Sequence, residues 1–340
     1  MKTYIERDGR TIQKHYLTLN GHRQGIIIES RGTAKPILLV VHGGPGFPLY
    51  SFFRAHHIDL TDRYTVVFWD QRGTGMSYTR ETVEMADLIS DSYQLIQFLR
   101  HHFQQEQVYL MCHSFGTIIG THLAHRYPEY IAAYIGMGQL GDVFHNEQCI
   151  LQHLRFLAYE ERNQRAIKRL SAIHLTRDFN KDCQYEKARQ RYTARYHVGF
   201  SSRGYSVWRM FRVMMQTPYY RLIERINIVR GSLSTFEHLT SEMAHTNLND
   251  IAQEIKVPFY VLQGVHDMQT TYEDSKAFFE HVGSAEKRFY AFQDTAHAPF
   301  VDEPEKMIEI MHEIVDRHVT SRHRLYMKYG GEIDVTLFDR

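Results

Sequence analysis

Cysteine is scarce in this 340-residue chain: Cys112, Cys149 and Cys183 show no Cys-x-x-Cys spacing and cannot all pair with one another. A disulfide framework is thereby excluded, and a reducing cytoplasm is the expected compartment. Net charge is nearly absent too, at +1, so composition names no partner. Long apolar runs are missing. Residues 36–53 and 108–125 carry no formal charge and approach the length of a membrane span, but glycine and histidine interrupt both, and they read as buried strands with loops. The first ten residues, MKTYIERDGR, are charged where a secretory signal needs an apolar core, so no signal peptide is expected. Repeats and low-complexity tracts are absent as well. What is present, 43% hydrophobic and 23% charged residues, is the composition of a globular protein rather than a disordered one.

From residue 14 onward, short β-branched runs alternate with longer stretches of helical spacing, the pattern of an α/β fold with a mostly parallel sheet covered by helices. Strands are expected at 16–19, 25–29, 37–42, 65–70, 107–112 and 131–137, and again at 258–264 and 287–292. Those at 37–42 and 65–70 are almost wholly apolar, as strands buried on both faces are, which places them centrally. Leu88, Leu95, Ile96, Leu99 and Phe103 predict a helix over 85–103; a second starts at Phe115 and ends before Pro128, and later ones cover 274–282 and 303–318. Between about 141 and 255 the pattern changes to polar and aromatic helical stretches with no clear buried strand. The expected organisation is a first part of the core at 1–140, an inserted helical cap at 141–255, a second part of the core at 256–318, and a tail at 319–340 in which Gly330 and Gly331 suggest a hairpin.

Chemistry concentrates where a buried strand runs through a serine straight into a helix, at Val108-Tyr109-Leu110-Met111-Cys112-His113-Ser114-Phe115-Gly116. In that setting a nucleophile elbow lifts the serine hydroxyl above the sheet edge, and the tight turn demands small residues two positions to either side. Gly116 meets the demand, while Cys112 stands where the first glycine of G-x-S-x-G would be, a departure that a small side chain tolerates. The strand at 37–41 leads into His42-Gly43-Gly44-Pro45-Gly46, whose glycines let the backbone approach a reacting carbonyl. An oxyanion hole is expected from the Gly44 amide, with Gly43 as a further candidate, together with the amide of Phe115.

A serine needs a base, and the base needs an orienting acid. Asp267, just past the strand at 258–264, and His297, in the loop after the last strand, both sit at strand C-termini, where the active sites of open α/β sheets gather. Position, not residue type, singles out His297 among 22 histidines. Asp142 is the competing acid and Asp294 a third, while His42 and His113 are expected to pack and hydrogen-bond locally. No cofactor is implied. His312-Glu313 followed by His318 lacks the i, i+4 histidine pair that zinc requires, so no metal is expected.

Joined by Asp70-Gln71-Arg72-Gly73-Thr74-Gly75-Met76-Ser77, this set of motifs resembles the proline iminopeptidase branch of the α/β hydrolases. The resemblance implies an α/β-hydrolase fold with a helical cap, a serine hydrolase, and more narrowly an aminopeptidase that removes an N-terminal proline. Segment 70–77 is read as stabilising the turn after its strand. The chain departs from that branch in its elbow, CHSFG in place of GGSWG, and in lacking the W-x-x-W-E stretch whose carboxylate holds the substrate's amine; Trp208 is the only tryptophan of the cap. Glu224, Glu237 and Glu242 are candidates for that role, against the plainer reading of solvent-facing helical glutamates. Residues 151–230 hold 17 Lys and Arg against 6 Asp and Glu, leaving −10 for the rest of the chain. Such a field favours anionic substrates unless the arginines are solvated or pair with the core. The leading expectation is hydrolysis of an ester, lactone or amide in a small-molecule or short-peptide substrate through an acyl-enzyme on Ser114. A proline-releasing aminopeptidase and a non-catalytic binding protein on the same scaffold are the alternatives. Neither a nucleic-acid nor a membrane partner is expected, and oligomeric state is left open.

Overall fold

The computed structural model describes residues 2–6, 8–32, 34–196 and 199–329, with side chains as far as His318. Its strands are β1 (Lys2–Ile5), β2 (Thr11–Leu19), β3 (His22–Ser30), β4 (Ile37–Val41), β5 (Thr65–Asp70), β6 (Val108–His113), β7 (Ile131–Met137), β8 (Phe259–Gly264) and β9 (Lys287–Phe292). They form one sheet in the order β1-β2-β3-β5-β4-β6-β7-β8-β9, antiparallel from β1 to β5 and parallel from β5 to β9. β4, β5 and β6 are buried along their whole length, which is why they carry no polar alternation. Successive residues point to opposite faces. Leu39, Val41, Val67, Leu110 and Cys112 meet the helices Met85–Phe103 and Gly116–Arg126, while Leu38, Val40, Val66, Phe68 and Met111 meet Tyr50–Ala55 and the helix from Pro304.

Three boundaries differ from the sequence expectation. β1 is an unanticipated edge strand, KTYI, with no buried residue and hence no periodic signal. β2 and β3 are longer than expected because a two-residue turn joins them, Asn20 and Gly21 both at positive φ (46° and 79°), the geometry that Asn-Gly hairpins favour. The last helix, Pro304–Tyr329, runs past its expected end at 318; the suggested hairpin at Gly330 and Gly331 lies outside the described residues.

Among the described residues six α-helices, Val143–Glu160, Gln164–Ser171, Cys183–Arg195, Val207–Met215, Leu222–Ala244 and Leu248–Ile251, lie between β7 and β8, which are neighbours in the sheet. The longest, Leu222–Ala244, is seated on the loops that follow β4 and β5. A Cβ at Gly231 would stand 2.3 Å from the Gly73 carbonyl oxygen, and the Ser232 hydroxyl donates to the Gly46 carbonyl at 2.7 Å. Its first turn corrects one expectation: Glu224 does not face solvent. It is buried and accepts from the Lys14 ammonium at 2.5 Å, the Tyr16 hydroxyl and the Arg221 amide at 2.7 Å. Burial alone would raise its pKa, but the bonds from Lys14, Tyr16 and Arg221 prevail and bring it down to about 2. Glu237 and Glu242 are exposed.

Asp70 closes the same contact. Its Oδ2 accepts from the Met76 amide at 2.8 Å and its Oδ1 from the Tyr220 hydroxyl at 2.5 Å, two residues before the long helix. Burial raises its pKa to about 7. An aspartate whose folded pKa lies above its unfolded value binds a proton more tightly when folded, so its contribution to stability falls as pH rises from about 4 to about 7. Asp70→Asn should remove that slope. Urea midpoints from pH 5 to pH 8 should show the variant gaining on the wild type as pH rises, and a pH-independent difference would mean that Asp70 is ionised in both states.

Candidate active site

β6 ends at His113 and the helix Gly116–Arg126 begins three residues later, which leaves Ser114 at φ +54°. A left-handed conformation is uncommon outside glycine and is kept only where surrounding contacts over-determine it. Here the Ser114 amide donates to the Met137 carbonyl at 2.9 Å, and the Ser114 carbonyl accepts from the Thr117 amide at 2.8 Å and the Thr117 hydroxyl at 2.6 Å. The turn leaves no space beside it. A Cβ on Gly116 would stand 2.6 Å from the Val41 carbonyl oxygen, and one on Gly43 would stand 2.8 Å from Ser114 Cβ.

Cys112 fits this turn through a partner the sequence reading did not single out. A Cβ on Gly120 would meet Cys112 Sγ at 2.4 Å and the Tyr134 ring at 2.6 Å, so the absent side chain of Gly120 makes the room that the first glycine of the motif would otherwise make. Gly120→Ala should cost about 1–3 kcal/mol by overpacking, and Cys112→Ala in that background should restore part of the loss. A double-mutant cycle on urea unfolding measures the coupling; strictly additive losses would show that the two sites do not share this space.

Asp267 and His297 are brought together on the same sheet edge. The His297 Nδ1 donates to Asp267 Oδ2 at 2.9 Å, and both side chains are buried. Oδ2 also accepts from the Thr270 hydroxyl at 2.9 Å and the Gln263 amide group at 3.1 Å, while Oδ1 takes the backbone amides of Gln269 at 2.8 Å and Thr270 at 3.0 Å. Burial pushes the Asp267 pKa up, but the His297 charge and hydrogen bond, with the two backbone amides, outweigh it and the net direction is down. Thr270 and Gln263 were missed from sequence; the readable sign was the spacing Asp267-Met268-Gln269-Thr270, which lets a carboxylate bond the amides and hydroxyl just after it.

Of the three candidate acids, only Asp267 hydrogen-bonds His297 among the described residues. Asp142 caps the helix Val143–Glu160 through the Phe144 amide and pairs with Arg177 at 3.1 Å, and Asp294 is exposed. Ser114 approaches from the end of β6, which β7 separates from β8 in the sheet. Its amide is held by Met137, and a Cβ on the next residue, Gly138, would lie 3.2 Å from His297 Cε1. The Ser114 hydroxyl makes no hydrogen bond to the ring among the described residues; such bonds commonly tighten only in the substrate complex.

The two other histidines hold loops. Burial keeps the His113 pKa down at about 3, so its ring is neutral; Nε2 donates to the His297 carbonyl at 3.0 Å, and the two rings lie 4.7 Å apart. Burial likewise lowers His42 to about 4. Its Nε2 accepts from the Gln71 amide at 3.1 Å, which fixes Nδ1 as the donor to the Gly43 carbonyl at 2.9 Å. The glycine loop is thus braced by segment 70–77. Gly43 faces the elbow so closely that its missing Cβ would lie 3.3 Å from the Phe115 nitrogen, and Gly44 takes φ +116°. The Phe115 amide precedes the first turn of an 11-residue helix, where unpaired amides favour negative charge. Rings of Phe47, Phe52, Phe200, Tyr205 and Phe300 pack together beside these loops, and Phe300 touches His113. No group of three or more His, Cys, Asp or Glu side chains is arranged to hold a metal ion among the described residues.

A family model described as alpha/beta hydrolase fold matches residues 36–304. The chain belongs to the α/β-hydrolase fold family. Its relatives place it among hydrolytic enzymes. "Probable aminopeptidase YbaC" of Bacillus subtilis is 28% identical over 318 residues, covering 91% of this chain and 96% of that protein. The proline iminopeptidase of Lactobacillus helveticus is 24% identical over 306 residues, covering 86% and 93%. The crystal structure of proline iminopeptidase from Mycobacterium smegmatis superposes with a TM-score of 0.67 at 15% identity, over 91% of this chain and all of that one, a likeness of fold. In α/β hydrolases the triad follows the order serine, acid, histidine, the order of Ser114, Asp267 and His297.

Proposed function

We propose that this α/β hydrolase is a serine hydrolase that cleaves an ester, lactone or amide through an acyl-enzyme on Ser114. The observation that carries the reading is the Asp267–His297 bond of 2.9 Å, on the same sheet edge as a serine held at φ +54°. The Ser114 Oγ attacks the carbonyl carbon while His297 Nε2 takes its proton, and Asp267 holds the ring in the tautomer that leaves Nε2 free. The Phe115 amide, with that of Gly44 or Gly43, receives the negative charge that builds on the carbonyl oxygen. As the tetrahedral adduct collapses, His297 returns the proton to the leaving alkoxide or amine. Water then repeats the sequence on the acyl-enzyme and frees Ser114. His113, bonded to the His297 carbonyl, positions the loop and takes no proton.

Aminopeptidase action is the second reading, favoured by a relative described as a probable aminopeptidase over 91% of the chain and by a proline iminopeptidase over 86%. Glu224 does not supply its amine-binding carboxylate, because Lys14, Tyr16 and Arg221 already occupy it. Cys112, Cys149 and Cys183 are free thiols, which suits a reducing cytoplasm, and no helix among the described residues is long and apolar enough to cross a membrane.

A fluorophosphonate probe tests the chemistry. It should label Ser114, as read by mass spectrometry, and should not label Ser114→Ala; a folded wild type that resists the probe would remove the proposal. Turnover of a proline anilide in preference to simple esters would select the aminopeptidase reading.

A further inference from the structure

Apart from the site, the most conspicuous surface is on the helix Val207–Met215, sequence VWRMFRVMM. Val213 and Met214 turn inward to the core, whereas Val207 and Trp208 are 79% and 80% exposed and Phe211 is exposed beside Trp208, ring centroids 6.4 Å apart. Apolar side chains at helix spacings i, i+1 and i+4 therefore form a stripe that faces solvent. Arginines border it. Arg203, Arg209 and Arg212 are all exposed, and residues 203–230 hold six arginines and a single acid, Glu224, which is buried against Lys14.

We propose that this helix docks the protein onto an anionic lipid surface, with Val207, Trp208 and Phe211 entering the headgroup region and Arg203, Arg209 and Arg212 meeting the lipid anions. Aromatic and aliphatic residues on one face, with arginines at its border, are the composition of helices that lie in a membrane interface. Nine residues rise about 14 Å, too short to span a bilayer, so docking is compatible with finding no membrane-crossing helix among the described residues and departs only from the expectation of no membrane partner. Charge decides between occupants. A second copy of this chain would set the same arginines against one another across a twofold axis, whereas an anionic surface neutralises them. The patch is continuous with the site through Tyr205, over whose ring Arg209 lies at 4.5 Å and which packs on Phe200 and Phe52. Ser202, two residues after Phe200, donates its hydroxyl to the Asp294 carbonyl in the loop that carries His297.

The chain has two tryptophans, and Trp69 is buried in β5, so a change in emission on adding lipid reports Trp208. With vesicles of phosphatidylcholine and phosphatidylserine, the full chain should co-sediment and its emission should shift to the blue; phosphatidylcholine alone should bind far less. Arg209→Gln with Arg212→Gln should weaken partitioning about 25-fold, roughly fivefold for each arginine, and Phe211→Ser should weaken it further. Unchanged turnover of a short soluble ester by these variants shows that the fold is intact and separates loss of docking from loss of the proposed chemistry. Absence of co-sedimentation with the anionic vesicles, which an acidic protein partner would leave unexplained by lipid, overturns the proposal. So does binding indifferent to both sets of substitutions, or a blue shift that grows with protein concentration without lipid, which would assign the face to a second copy.

Discussion

Replacing His297 by alanine should lower kcat on an activated ester by about 10⁶-fold, and Ser114→Ala should do about the same, with the double variant no worse than either. The expectation follows from their acting as one unit. Without an imidazole to take it, the hydroxyl proton stays on Ser114 and the attack loses its nucleophile; without the hydroxyl, the imidazole has nothing to activate. KM should change little, because neither side chain is assigned a part in ground-state binding. A residue of about 10³ to 10⁴ over the uncatalysed rate should survive, supplied by the amides of Phe115 and the glycine loop acting on a water attack. Single-turnover kinetics with a chromogenic ester separates this floor from background hydrolysis. Losses that multiplied in the double variant would mean that Ser114 and His297 act on different steps, and the proposed mechanism would have to be abandoned.

The central sheet was legible because burial on both faces leaves an unbroken apolar run: β4 and β5 were placed to within one residue. β1 was not, since an exposed edge strand has no face to bury and hence no pattern to read. Motif order already favours Asp267 and His297, with Asp142 as the competing acid; that the Asp267 carboxylate meets the His297 ring while Asp142 caps a helix depends on which loop packs on which, and that is not written along the chain. Glu224 illustrates the same limit. Its helical spacing made it look like a surface residue, whereas the groups that bury it, Lys14 and Tyr16, come from β2, more than two hundred positions earlier. Gly120 is a steric complement to Cys112, and an absent side chain acquires meaning only when its neighbour is in place. The exposed stripe Val207, Trp208 and Phe211 was likewise invisible, because helical spacing says which residues share a face and not whether that face is covered.

Asp267→Asn should lower kcat by about 10⁴-fold while leaving the protein folded. The geometry dictates which way the asparagine sits. Oδ1 accepts two backbone amides, those of Gln269 and Thr270, which cannot turn away, so the carbonyl oxygen of the new side chain settles there. Its NH₂ group then occupies the Oδ2 position. The Thr270 hydroxyl can rotate to accept from it and the Gln263 amide gives up its bond there while keeping the one to the Thr270 carbonyl, but His297 Nδ1, 2.9 Å away, can no longer donate and must accept. The ring proton moves to Nε2, the nitrogen proposed to take the proton from Ser114, and the base is blocked although every atom is nearly in place. Nitrogen-15 shifts of the His297 ring report this directly: the wild type should carry its proton on Nδ1 and the variant on Nε2. Rates of fluorophosphonate labelling should fall in parallel with kcat, since both need the same proton transfer. A variant that keeps kcat within tenfold of the wild type, with its tautomer reversed, would show that Asp267 braces the loop through Gln263 and Thr270 and that His297 is not the base.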